Sequence, residues 1–142
     1  MTALLDINML IALFDAAHVH HRAAHAWMTK NRSQGWSTCP ITQNGCIRVM
    51  SQPTYPGRLP VAEITRRLAS AVAVPEHTFW PDSISLCDPT QFEPDRILTP
   101  KSLTDVYLLG LASENGGRLV TFDREIPVAA VSLAKTRHLL VL

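Results

Sequence analysis

Short apolar segments alternate with helix-like segments along almost the whole chain, and this alternation restricts the possible folds more than any other feature. Five segments have the length and apolar character of buried strands: 2–5, 36–39, 77–80, 118–122 and 138–142. Helical spacing of apolar residues marks five more: 8–14, 19–31, 41–51, 61–73 and 100–114. Alternating strands and helices predict an α/β fold, with a central, mostly parallel sheet between two layers of helices.

The boundaries of these segments have clear local signals. Asn8 can cap the first helix, Thr99-Pro100 begins the fifth, and Asn115-Gly116-Gly117 ends it. Three prolines make residues 52–60 a loop. No repeat, low-complexity tract or linker divides the chain, so we expect residues 1–142 to form a single domain.

Charge and composition exclude several classes of protein. Charged residues make up 18% and the net charge is +1, which argues against binding nucleic acid through overall positive charge. The apolar runs are far shorter than the ~20 residues of a membrane span, and no targeting segment is evident. The three cysteines (Cys39, Cys46 and Cys87) lack zinc-ligand or CxxC spacing. We therefore expect a cytoplasmic protein with reduced, mostly buried thiols and no membrane contact.

Three aspartates have unusual positions in this pattern. Asp6 interrupts an apolar strand–helix junction, Asp105 follows the start of a helix on a largely apolar face, and Asp123 directly follows a strand. Each has a structural explanation by itself: helix capping for Asp6, the helix dipole or a Ser102–Asp105 capping box for Asp105, and a turn for Asp123.

Together, the aspartates suggest one common cause. The ligand site of a parallel sheet lies beyond the carboxyl ends of its strands, where Asp6 and Asp123 are expected. Hard cations such as Mg²⁺ prefer oxygen ligands, and an ion held there can bridge a phosphate and activate water. The residues themselves therefore indicate metal-dependent phosphate chemistry without selecting one reaction.

Four stretches, in order, resemble the PIN-domain nucleases, and in particular the VapC-type toxins of toxin–antitoxin systems. They are Leu4-Leu5-Asp6-Ile7-Asn8-Met9-Leu10, Thr38-Cys39-Pro40-Ile41-Thr42-Gln43-Asn44-Gly45, Thr104-Asp105-Val106-Tyr107-Leu108-Leu109, and Gly117-Arg118-Leu119-Val120-Thr121-Phe122-Asp123-Arg124. The resemblance extends over essentially the whole chain.

This resemblance implies a PIN-like α/β/α sandwich and a Mg²⁺- or Mn²⁺-dependent endoribonuclease that hydrolyses tRNA, rRNA or mRNA. It also implies a homodimer and a VapB-type antitoxin protein that inhibits the enzyme. Carried over residue by residue, it makes Asp6, Asp105 and Asp123 catalytic metal ligands. Supporting roles fall to Asn8 and Thr121, and RNA contacts to Arg48 and Arg124.

The second motif departs from the family at Gln43, where the family often has Glu. An amide oxygen can contact a metal or its waters, but it adds no negative charge and does not act as a base. Gln43 is kept as a catalytic-site residue, and three explanations stay open: a natural variant in which another acid takes over, a low-activity or non-catalytic relative, or an engineered inactivation.

Two alternative functions remain beside the nuclease. One is a catalytically impaired protein that keeps the fold and acts by binding antitoxin or RNA. The other is a phospho-acceptor signalling domain, which also gathers acidic residues and has a late lysine, as Lys101 is here. No aspartate follows the strand at 36–39, where the acceptor would be expected. The histidines at 18, 20, 21 and 25 lack the pattern of a zinc helix, and we expect them to form a solvated helix face.

Overall fold

A computed structural model describes every residue from Met1 to Leu142. The strands are β1 (Ala3–Leu5), β2 (Trp36–Thr38), β3 (His77–Phe79), β4 (Arg118–Thr121) and β5 (Leu139–Val141). The helices are α1 (Ile7–Phe14), α2 (His21–Asn31), α3 (Pro40–Ser51), α4 (Val61–Val72) and α5 (Leu103–Glu114). The predicted strands and helices are all present, with ends that differ from the predictions by one to three residues because terminal turns adopt 3₁₀ or extended geometry.

The strands form one parallel sheet in the order β3-β2-β1-β4-β5. The chain builds the sheet outward from β1 through β2 to β3, and then returns to the other side of β1 with β4. This reversal makes the carboxyl ends of β1 and β4 a topological switch point, where open α/β sheets commonly bind ligands. Asp6 directly follows β1, and Asp123 lies two residues beyond the end of β4.

Alternate residues of the central strands face two separate cores. Leu4 and Leu119 face a core that α5 covers, whereas Leu5 and Val120 face a core built with α1 and α3. Each of these four side chains is fully buried, and burying one such side chain contributes about 1.5–3 kcal/mol. The parallel pairing of β1 with β4, with Leu5 opposite Val120, places the carboxyl ends of the two strands side by side.

Two glycines help to define the helices, one through a close approach and the other through its backbone conformation. A Cβ atom at Gly45 would collide with the Ile7 side chain, so glycine lets α3 cross close to the beginning of α1. Gly116 adopts φ +66° directly after α5, as the predicted helix stop requires. Both glycines therefore help to set where helices lie relative to the strand ends.

The start of α1 corrects one prediction. Its N-cap is Asp6, whose Oδ1 accepts a 3.0 Å hydrogen bond from the backbone N–H of Asn8. The chain leaves β1 with Asp6 still extended, at φ −61° and ψ 159°, so the helix begins at Ile7 and Asn8 is already inside it.

The proline-rich loop packs against α1, and two of the three cysteines are buried. The Tyr55 hydroxyl in the proline-rich loop donates to the carboxylate of Asp15 at the end of α1. Cys39 and Cys46 are buried and unpaired, but Cys87 is exposed, because it lies in a surface turn within the long segment between β3 and α5. None of the helices combines the length and the apolar character that crossing a membrane requires.

Candidate active site

Asp6 is an almost completely buried carboxylate at the carboxyl end of β1. It is 3% exposed, and it accepts hydrogen bonds from the Asn8 N–H and from the Thr121 hydroxyl. Burial raises the pKa of Asp6; the hydrogen bonds from Thr121 and Asn8 oppose this shift, and the charge of Asp123 adds to it. The local structure thus orients this carboxylate without supplying a positive charge.

Thr121 connects the ends of the two central strands. Its hydroxyl donates to Asp6 Oδ2 and accepts a 3.0 Å hydrogen bond from the backbone N–H of Asp123. A second turn contact follows, in which Asp123 Oδ1 accepts a 2.8 Å hydrogen bond from the N–H of Glu125. One buried hydroxyl therefore sets the relative position of two acidic residues that lie far apart in sequence.

Asp105 joins these two residues from the first turn of α5. Burial raises its pKa from the ordinary 3.8 to about 7, and the negative charges of Asp6 and Asp123 act in the same direction. The effect of both neighbours on Asp105 indicates that the three carboxyl groups share one electrostatic environment. Asp6, Asp105 and Asp123 are called the aspartate cluster below.

No basic side chain neutralises this cluster. The ion pairs of the protein involve Glu63, Glu76 and Glu93, all of which lie elsewhere on the surface. Three carboxyl groups in a partly buried site without a cationic partner oppose one another, and a cation that enters the site would relieve this repulsion.

The donor set fits a hard divalent ion that keeps part of its water shell. No three His, Cys, Asp or Glu side chains are close enough together to ligate one ion directly. Mg²⁺ commonly keeps several waters and uses only one or two protein carboxylates, so the wider spacing of the aspartate cluster suits it. The oxygen chemistry of the site likewise excludes any preference for soft metals.

Gln43 has a different environment. Its side-chain amide donates a 3.0 Å hydrogen bond to the Thr38 hydroxyl, whose oxygen lies 2.8 Å from Nε2 of His77. This neutral series of contacts, called the Gln43 chain below, extends across the neighbouring strands β2 and β3. The amide of Gln43 is thus engaged by Thr38 at the same edge of the sheet as the aspartates.

The remaining predicted residues lie at different distances from the cluster. Asn8 is exposed, and its side chain lines a pocket that also contains Asp123. Arg124 is exposed in the turn after Asp123, whereas Arg48 lines a separate depression on α3. The structure therefore leaves Arg124 beside the cluster and Arg48 in another part of the surface.

The histidines predicted to form a solvated helix face are exposed at His20 and His25 and half-buried at His18 and His21, and they also make contacts that were not predicted. His21 Nδ1 lies 2.7 Å from the Ala12 carbonyl and His25 Nε2 lies 3.0 Å from the Leu13 carbonyl, at the end of α1. The ring of His20 stacks on Phe122. These contacts depend on α2 folding back onto α1 and β4, which the helical spacing alone does not reveal. The only signal in the sequence was the high density of histidines before α2.

Comparison with known proteins agrees with this architecture. The PIN domain family model matches residues 3–131. Ribonuclease VapC44 of Mycobacterium tuberculosis is 46% identical over 142 residues, which cover 100% of each chain. Ribonuclease VapC39 of the same organism is 42% identical over 132 residues, which cover 92% of this chain and 94% of the relative.

Solved structures share the fold at much lower sequence identity. The crystal structure of Mycobacterium tuberculosis VapC20, described as a sarcin-ricin loop cleaving toxin, has a TM-score of 0.61 at 11% identity and covers 94% of this chain and 98% of that one. VapBC2 from Rickettsia felis, bound to a DNA fragment from its promoter, has a TM-score of 0.57 at 10% identity, with 88% and 90% coverage. At these identities the likeness concerns the fold alone.

Proposed function

The chain belongs to the PIN domain family, among the VapC ribonucleases, and on that basis we propose that it is an endoribonuclease toxin whose activity depends on Mg²⁺ or Mn²⁺. The observation that carries the metal dependence is the aspartate cluster. Asp6, Asp105 and Asp123 come from three separate parts of the sequence to one edge of the sheet, and no basic side chain balances them.

Within this proposal one or two carboxylates of the aspartate cluster would ligate the ion directly, and the cluster would hold it further through its waters. When bound there, Mg²⁺ or Mn²⁺ would supply positive charge to stabilise the phosphate and would favour deprotonation of a water. Thr121 and the Asn8 N–H keep the Asp6 carboxylate oriented toward the site. Burial and the neighbouring charges raise the pKa of Asp105 to about 7, and a cation in the site would favour its ionised form. The ion also allows a chain of net charge +1 to bind a polyanion.

The partners in the proposal follow from the relatives. The substrate is RNA, of the tRNA, rRNA or mRNA class, and a VapB-type antitoxin protein inhibits the enzyme. A homodimer is included in the proposal, as is a cytoplasmic location. Arg124 is proposed to contact the RNA backbone, because it is exposed directly after Asp123. Arg48 is retained as a weaker candidate, since it lies in a separate depression.

One observation favours a second candidate function. Gln43 lacks the carboxylate of the usual Glu, and its amide is bound to Thr38. A chain with one acid fewer at the site is a candidate for an impaired nuclease that acts by binding antitoxin or RNA.

The decisive experiment measures cleavage of total cellular RNA by the purified chain in Mg²⁺ or Mn²⁺. Parallel reactions contain EDTA, the Asp6→Ala variant and the Gln43→Glu variant. Asp95→Ala, which removes an exposed aspartate from a surface 3₁₀ turn, is the matched control.

The outcomes separate the two candidates. We expect discrete products that EDTA and Asp6→Ala abolish and that Asp95→Ala leaves unchanged. An inactive chain that Gln43→Glu activates would identify a nuclease that is switched off at this one residue. Inactivity of both the unmodified chain and Gln43→Glu would contradict the nuclease function and favour the protein that acts by binding.

A further inference from the structure

A pocket of about 440 Å³ opens beside the aspartate cluster, and it has a mixed aromatic and basic lining. Asp123 forms one wall. The other lining residues are Asn8, His18, Val19, His20, Lys101 and Phe122. They come from the beginning of α1, the loop before α2, the turn before α5 and the end of β4. The predicted catalytic roles account for only Asn8 and Asp123 among them.

An aromatic stack forms the floor of this pocket. The rings of His20 and Phe122 lie 4.2 Å apart, and their planes differ by 10°. Phe122 is half-buried against the core beneath α1, so it is a fixed support, while His20 is exposed above it. His18 lies 5.7 Å from His20 in a tilted arrangement. Flat aromatic surface is therefore presented immediately next to Asp123.

The loop that carries His18 and His20 is held in place before any ligand binds. The backbone N–H of His20 donates a 3.0 Å hydrogen bond to Nδ1 of His18, and the N–H of His18 donates at 3.0 Å to the Asp15 carbonyl. The Asp15 carboxylate also accepts a 2.9 Å hydrogen bond from the N–H of Ala17. Because Nδ1 of His18 is an acceptor, the neutral ring carries its proton on Nε2 and can donate it outward.

Two further features of the pocket remain without a partner inside the protein. Lys101 is exposed and takes part in no ion pair. Val19 is 84% exposed, so its aliphatic side chain is uncovered beside the aromatic stack. A free cation and an uncovered apolar side chain flank the aromatic stack, so the pocket combines the chemistry that contacts phosphate and base.

We propose that this pocket binds one unpaired nucleotide of the RNA substrate, next to the bond that is cut. The base would stack on His20, supported by Phe122, and Lys101 would contact a backbone phosphate. Stacking on aromatic side chains beside a basic group is how proteins hold single-stranded RNA with little sequence preference. The inference rests on the proposed ribonuclease function, and a peptide segment of a partner protein is the competing occupant.

The test uses RNA binding, which does not require cleavage. A short single-stranded RNA with one 2-aminopurine, whose fluorescence falls on stacking, is titrated with the full chain in EDTA. The variants are His20→Ala, His20→Tyr and Lys101→Ala, and Lys30→Ala is the matched control for loss of an exposed lysine outside the pocket. Circular dichroism checks that every variant is folded.

We expect quenching with the unmodified chain and with His20→Tyr, which keeps an aromatic ring. His20→Ala should weaken the affinity roughly tenfold and abolish the quenching. Lys101→Ala should weaken binding and lower the slope of log affinity against log salt by roughly one. Lys30→Ala should leave both quantities unchanged.

The inference is overturned if His20→Ala binds and quenches like the unmodified chain, or if Lys101→Ala matches Lys30→Ala. An RNA affinity that does not depend on His20 would exclude the nucleotide from the pocket and leave the peptide as the occupant to test. Cleavage of total RNA separates this failure from failure of the proposed function. Active cleavage with no effect of His20 would refute only the pocket, whereas His20-dependent quenching without any cleavage would refute only the nuclease.

Discussion

The aspartate cluster and the Gln43 chain lie at the same edge of the sheet, but they satisfy their polar groups in opposite ways. In the cluster, burial and like charges raise the pKa of Asp105 to about 7, and no basic side chain compensates them. In the Gln43 chain, three neutral side chains hydrogen-bond to one another across β2 and β3.

This contrast separates a site that needs a ligand from one that does not. Uncompensated charge destabilises a folded protein unless something outside the chain balances it. The Gln43 chain is uncharged and its members hydrogen-bond to one another, and neutral hydrogen bonds contribute about 1 kcal/mol each to stability. We therefore expect loss of a carboxylate from the cluster to reduce activity while stabilising the ion-free protein. Loss of a hydrogen bond from the Gln43 chain should lower stability and leave the metal affinity unchanged.

The largest expected effect is the loss of activity in Asp105→Asn. Removing one carboxylate of the cluster should lower the rate of metal-dependent RNA cleavage about a thousandfold. This corresponds to the loss of roughly 4 kcal/mol of transition-state stabilisation by the ion. Initial rates at saturating Mn²⁺ measure this. Activity of Asp105→Asn within tenfold of the unmodified chain would show that Asp105 is dispensable for cleavage.

The same substitution should stabilise the ion-free protein. The folded-state pKa of Asp105 lies above its ordinary value, so its favourable contribution is present at acidic pH and is lost as pH rises through about 7. In EDTA, the free energy of unfolding should therefore fall between acidic pH and about pH 8. Asp105→Asn should gain about 1–2 kcal/mol at the alkaline end, a value reduced for the partial exposure of the group.

Urea unfolding as a function of pH checks this prediction, with Asp95→Asn as the control for loss of an exposed charge. Added Mn²⁺ should restore the stability of the unmodified chain at alkaline pH, because an ion that binds only the folded state stabilises it. Parallel pH profiles for Asp105→Asn and the unmodified chain would show that the cluster carries no mutual repulsion.

A smaller effect is expected in the Gln43 chain. Thr38→Val keeps the shape of a fully buried side chain and removes the hydroxyl that contacts both Gln43 and His77. The variant should lose about 1 kcal/mol in free energy of unfolding and retain its affinity for Mn²⁺. Urea unfolding measures the change in stability, and calorimetry measures the Mn²⁺ affinity. A weakened Mn²⁺ affinity would show that the Gln43 chain and the aspartate cluster belong to one metal site.

The smallest effect is expected for Gln43→Glu. A carboxylate at this position adds one negative charge at the edge of the aspartate cluster, and about 1 kcal/mol of added attraction corresponds to roughly fivefold tighter Mn²⁺ binding. Thr38 can then donate to the new carboxylate, so the fold should tolerate the change. Isothermal calorimetry measures the affinity. An unchanged value would argue that position 43 lies outside the metal shell.

Much of this architecture could be predicted because the relevant interactions are local. Apolar periodicity located each strand and helix, and Gly116 marked the end of α5. The position of Asp6 and Asp123 after apolar strands placed them at one edge of a parallel sheet, since all strands of such a sheet end on the same side. Asp105 was grouped with them because it lies on a largely apolar helix face, and the resemblance over four motifs gave all three the role of metal ligands.

Local patterns in the chain were thus enough to establish the α/β class and the acidic edge, because burial and backbone sterics act over a few residues. Only the tertiary structure decided the strand order, the contact of Thr121 with Asp6, the hydrogen bond of Gln43 to Thr38 and the stacking of His20 on Phe122. These depend on which distant surfaces pack together. Alternative side-chain partners differ by only about 1 kcal/mol, and no local sequence pattern records so small a difference.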